Sequence, residues 1–173
     1  MKLRHLNLLS LVSLACCVHG SPLSGTWQLD PARSTEFSPW RELILTIVVD
    51  GDRVDLRRHF SNGRRSFTED TALDLTLPVN VVPVTWWPDN RHLGAYIGGD
   101  KQKRIRAAWL DEGRVLRLSA DLTLATSQGE RAINILSDYK VSANGSILTL
   151  TELRSTRNQP VVYTFTRREN SAR

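Results

Sequence analysis

The feature that most constrains this chain is a period of two. Apolar and polar residues alternate through a series of short runs, and almost every run stops at a tight-turn signal. Residues 24–29, 42–49, 53–60, 65–75, 103–110, 114–124, 130–141, 146–154 and 160–167 read as strands. Asp50-Gly51-Asp52, Ser61-Asn62-Gly63, Asp111-Glu112-Gly113, Gln128-Gly129 and Asn144-Gly145 separate neighbours in that series. Such pairs suit hairpins, because glycine and asparagine accept the positive φ that tight turns need. Asp30-Pro31 predicts one capped helical turn. No stretch keeps a helical period. Consecutive strands joined by tight turns predict an all-β chain, a single antiparallel up-and-down β-barrel of about eight to ten strands. A sandwich needs longer crossing connections.

One segment breaks the rhythm. Residues 76–102 carry Pro78, Pro83, Pro88, Trp86, Trp87, Tyr96, Gly94, Gly98 and Gly99. A connection this long inside a compact domain is commonly functional. If it is extended, adjacent residues face opposite ways, so only one of Trp86 and Trp87 points into a cavity.

The first twenty residues read as an address. Lys2, Arg4 and His5 precede the apolar run 6–18, which is too short to span a bilayer and fits the core of a secretory signal. Cleavage after Gly20 leaves 21–173 as one domain, secreted or periplasmic, with no transmembrane segment. The alternative is lipid attachment at Cys16, since Ser13-Leu14-Ala15-Cys16 is similar to a lipoprotein processing site. Removing 1–20 removes both cysteines and leaves 21 Lys plus Arg against 18 acids, a net charge of +3. A small, mixed charge on an exported chain argues against nucleic acid as a partner.

Gly25-Thr26-Trp27 opens the first strand, and Arg167-Arg168 ends the last. A Gly-x-Trp at the start of a meander of about eight strands resembles the lipocalins and the wider calycin group. Ser137-Asp138-Tyr139 looks like their Thr-Asp-Tyr element, and SGTWQLDPARS is similar to the opening of secreted bacterial lipocalin-like proteins. The resemblance implies that Trp27 closes one end of a barrel. It also implies that Arg167 or Arg168 packs over its indole, that Gly25 belongs to that closure, and that small apolar ligands are held inside. The chain departs from the pattern in its missing disulfide pair and in the long middle segment.

Candidate chemistry is sparse. His59 and His92 are the mature histidines, and with Asp55, Asp89 or Asp100 they offer no metal-ligand spacing, so no metal and no cofactor is expected. No Gly-x-Ser-x-Gly motif and no facing carboxylate pair supports catalysis, so no catalytic residue is assigned. Asn144-Gly145-Ser146 formally matches a glycosylation site, but its turn chemistry already explains it. Arg58 is different. It shares the inward face of its strand with Val54, Leu56 and Phe60, and an arginine there needs a partner. That partner is either an acid such as Glu69 on the next strand or an anionic headgroup. Arg117 poses the same question less sharply.

The sequence thus predicts a non-catalytic exported protein that binds a small apolar or amphipathic molecule. Trp86, Trp87 and Tyr96 form a lid in this reading, and Arg58 meets a headgroup. The alternative is a cell-envelope interaction protein with a filled barrel core and no small-molecule ligand.

Overall fold

The structure is a computed structural model, and it describes residues 20–35, 40–84, 86–87 and 96–168. The segment 1–19, with the signal reading and Cys16, lies outside these residues, as do Pro88, Asp89, His92 and Gly94.

The period-two runs become strands. They are β1 (Gly25–Leu29), β2 (Glu42–Asp50), β3 (Arg53–Ser61), β4 (Ser66–Asp74), β5 (Asn80–Pro83), β6 (Tyr96–Ile97), β7 (Gln102–Leu110), β8 (Val115–Thr126), β9 (Gly129–Val141), β10 (Ile147–Arg154) and β11 (Val161–Arg167). A single helical turn, Pro31–Arg33, follows β1, and the Asp30 side chain caps it by accepting from the Ala32 amide. All pairings are antiparallel, and the order is β4-β3-β2-β1-β11-β10-β9-β8-β7-β5, with β6 added to β8. This is an up-and-down, nearly closed barrel of ten strands with one short addition.

The alternation sorts side chains in and out. Along β8 the inward set is Leu116, Leu118, Ala120, Leu122 and Leu124, all buried. Along β2 it is Leu43, Leu45 and Ile47. Each fully buried side chain of this kind contributes roughly 1.5–3 kcal/mol.

The wall has one seam. Among the described residues no strand ladder joins β4 to β5 or β7. Side chains close it instead. Asn80 stands in for a strand partner at one end: its Oδ1 accepts from the Asp74 amide at 2.8 Å and its Nδ2 donates to the Asp74 carbonyl at 3.0 Å. Lys103 Nζ on β7 meets Glu69 Oε1 on β4 at 2.8 Å. The Phe67 ring on β4 lies 4.1 Å from that of Trp86, beyond β5.

Candidate functional site

The interior is built in three layers, and register sets each of them. At the base, β1 and β11 pair so that Trp27 faces Arg167 across the ladder. Trp27 is fully buried, and its Nε1 donates to the Leu23 carbonyl at 3.0 Å. The Arg167 guanidinium lies 4.1 Å from the indole centroid, a cation–π contact. It also donates to the carbonyls of Gly145, Ser24 and Pro22 at 2.8, 2.8 and 2.6 Å. Gly25 is required beside it: φ is +145°, and an added Cβ would sit 2.5 Å from Arg167 Nη1. Arg168 takes no part in this contact. Its side chain is exposed, and only its backbone amide is engaged, donating to the Thr26 carbonyl.

The middle layer is charged. Cross-strand pairing sets Arg58 opposite Glu69, and Arg58 Nη2 meets Glu69 Oε2 at 2.5 Å. Glu69 also holds Lys103 across the seam. On β10 the inward positions after Leu148 and Leu150 are Glu152 and Arg154. Arg154 binds the Glu152 carboxylate through Nη2 at 2.5 Å and Nε at 3.1 Å. Arg58 Nη1 approaches Glu152 at 3.8 Å. Among the described residues three cations thus gather around two carboxylates.

Burial and field set the protonation states. Burial raises the carboxyl of Glu69, but Arg58 and Lys103 outweigh it and hold it down to about 2. Burial also works against the charge on Arg58, and Glu69, Tyr139 and Glu152 outweigh it, so the guanidinium is held more firmly protonated than usual. Burial pushes the Tyr139 phenol up to about 12, with Arg58 opposing and Glu152 and Glu69 adding. At neutral pH Tyr139 is thus a neutral donor facing the cluster.

The upper layer is aromatic. The Trp86 ring centroid lies 5.5 Å from that of Trp40 and 5.6 Å from that of Phe60, both edge-on, with Phe67 closer and more nearly stacked. Arg154 lies 5.8 Å from the Trp87 ring. Trp86 and Trp87 both line one cavity, which also reaches Arg58, Glu69, Lys103 and Arg154. An extended strand would have turned one of them away. The chain at this point belongs to no strand, so the alternation does not apply. Tyr96 is placed elsewhere. It pairs with Ala125 on β6, is 70% exposed and does not line the cavity. Its segment is held against the outer end of β8, where the Gly98 amide donates to Thr123 and a Cβ on Gly98 would come 2.8 Å from the Ala125 nitrogen.

The cavity measures about 60 Å³, room for roughly five waters. Pockets for small molecules usually reach about 300–1,000 Å³. Both indoles form part of its wall.

Other candidates resolve simply. His59 Nδ1 lies 2.9 Å from Thr68 Oγ1 near the surface. Arg117 faces outward and takes Asp138 through two contacts, at 2.7 and 2.6 Å. Asn144 Oδ1 accepts from the Ser146 amide and from the hydroxyls of Ser142 and Ser146, as its turn requires. Among the described residues no three His, Cys, Asp or Glu side chains converge as a metal site, and no helix is long and apolar enough to cross a membrane.

Lys103, Glu152 and Arg154 were not picked out from the sequence. The signal existed: the period that points Arg58 inward also points Lys103 in line with Ile105, and Glu152 and Arg154 in line with Leu148 and Leu150.

No protein-family model matches the chain, and no curated protein matches it. Solved structures do. The chain is similar to apo lipid binding protein 8 of Caenorhabditis elegans at 12% identity and a TM-score of 0.54, over 88% of this chain and 100% of that one. It is similar to secretory abundant heat soluble protein 4 of Ramazzottius varieornatus at 10% identity and a TM-score of 0.50, over 87% of this chain and 97% of that one. At such identities the likeness speaks to the fold, a lipocalin-like β-barrel.

Proposed function

We propose that this protein is a non-catalytic carrier of a small amphipathic molecule with one acidic group. The carrying observation is the charged layer inside the barrel, where among the described residues Arg58, Lys103 and Arg154 gather around the carboxylates of Glu69 and Glu152 and line one cavity. Three cationic groups on one cavity wall favour an entering anion, because opposite charge interacts strongly where water is scarce. The apolar lining of Leu118, Leu122 and Ile105 receives the rest of the molecule. One structural neighbour is a lipid binding protein by its own description, which fits a binding role on this fold. Among the described residues no nucleophile with a base beside it lines the cavity, and the reading is binding rather than turnover. Export belongs to the same proposal and rests on the basic-then-apolar start at residues 2–18.

The experiment is calorimetric titration with matched acid and alcohol pairs, one pair aliphatic and one aromatic. At least one acid should bind at least tenfold more tightly than its alcohol, and Lys103→Met should remove most of that preference. Equal affinity for acid and alcohol would overturn the headgroup assignment. The second reading is a filled barrel that acts through its outer surface, and the cavity of about 60 Å³ favours it. No binding of any pair would establish that reading instead.

A further inference from the structure

We infer that Trp86 occupies the ligand's own place, and that the ligand is a flat aromatic acid rather than an aliphatic one. The inference rests on the carrier reading and names its substrate class.

Three rings from separate parts of the chain converge on the Trp86 indole. Trp40 precedes β2, Phe60 lies on β3 and Phe67 on β4. Trp40 and Phe60 present interplanar angles of 77° and 64°, while Phe67 lies at 36° and only 4.1 Å away. Edge-to-face and offset arrangements favour a flat π-system beyond what the buried area alone supplies. A hydrocarbon chain gains none of that increment. The slot is therefore selective for a ring, and in this conformation a ring of the protein fills it.

Two further observations describe what the ring carries. Trp40 Nε1 is buried and has no hydrogen-bond partner among the described residues. Buried donors are nearly always satisfied, so a donor left over beside the slot suits an oxygen substituent on the guest. The charged layer is also close. The Arg58 guanidinium lies 6.0 Å from the Phe60 ring, and Phe60 touches Trp86. Arg58 and Trp86 also line the same cavity, so a ring seated in place of the indole can turn an acid substituent toward the charged layer.

Trp86 is able to leave because it belongs to no strand ladder. The wall residues Phe60 and Phe67 are held in β3 and β4 and stay. Departure of Trp86 would enlarge the cavity upward without breaking a strand pairing.

The test compares 2-naphthoate with decanoate by calorimetry at neutral pH, on the unmodified protein and on Trp86→Ala. 2-Naphthoate should bind the unmodified protein at least tenfold more tightly than decanoate. Trp86→Ala should tighten 2-naphthoate by at least fivefold, because the guest no longer displaces a competing ring. The unmodified protein supplies a second reading should the variant fold poorly: 2-naphthoate should abolish the near-ultraviolet circular dichroism of the coupled Trp40–Trp86 pair. Decanoate binding as tightly as 2-naphthoate would overturn the aromatic assignment and leave the carrier reading standing. Weaker 2-naphthoate binding in Trp86→Ala, or an unchanged dichroism signal at saturation, would make Trp86 a wall and overturn the displacement. Failure of both acids on both proteins would overturn the carrier reading itself.

Discussion

Glu69 ties two parts of the barrel together with a single carboxylate. One oxygen takes Arg58 on the neighbouring strand, and the other takes Lys103 across the seam. Loss of that charge leaves both cations in a poorly solvated interior, and breaking such an arrangement typically costs about 3–5 kcal/mol. Glu69→Gln should lower stability by that amount in urea unfolding at pH 7. The pH dependence has a definite sign. The Glu69 carboxyl falls from 4.5 to about 2 on folding, so its contribution is complete above pH 4.5 and is lost as pH falls toward 2. The difference is worth about 3 kcal/mol. Glu69→Gln should lack that segment of the acid-unfolding curve, and an unchanged curve would show that another carboxylate carries it. The Arg58–Glu69 pairing was open to a sequence reader, because both residues interrupt inward apolar series on strands joined by one tight turn. The orphaned donor of Trp40 was not, since it depends on ring packing that no periodicity encodes.

The strands separate into those a period can reveal and those it cannot. Nine runs predicted from alternation match nine observed strands to within one or two residues at nearly every end. β5 and β6 were missed within the long connection. They are four and two residues long, too short to show alternation, and β5 ends on a proline, which suits an edge strand. Their placement follows from partners far along the chain: β5 lies against β7 and β6 against β8. The seam is the element-scale consequence. β4 and β5 meet through side chains rather than a ladder, so their amides should exchange with solvent faster than those of β8 and β9, whose ladder runs from Val115–Lys140 to Thr126–Gly129. Asn80→Ala removes both hydrogen bonds that mimic a ladder. Hydrogen exchange at the Asp74 amide should then accelerate at least tenfold, with β8 and β9 unchanged. Uniform acceleration would mean that Asn80 supports the whole barrel rather than the seam.

At the scale of the molecule, the barrel is graded from base to mouth. The base is sealed by Trp27 under the Arg167 guanidinium, the middle carries the charged side chains of Arg58, Glu69, Lys103, Glu152 and Arg154, and the mouth is aromatic. The up-and-down topology explains the gradient. A long strand runs from one end of the barrel toward the other, so successive inward positions serve different layers, as Val54, Leu56, Arg58 and Phe60 do on β3. An apolar base stabilises the fold, and it allows polar groups above it that a smaller core could not tolerate. The central claim is that this middle layer is complementary to an acid. Native mass spectrometry of the protein purified gently from its own host tests it most directly. The account predicts a reproducible companion with the mass of a small organic acid, released on denaturation and missing from Lys103→Met. A bare chain that also takes up no acid when one is supplied would contradict it.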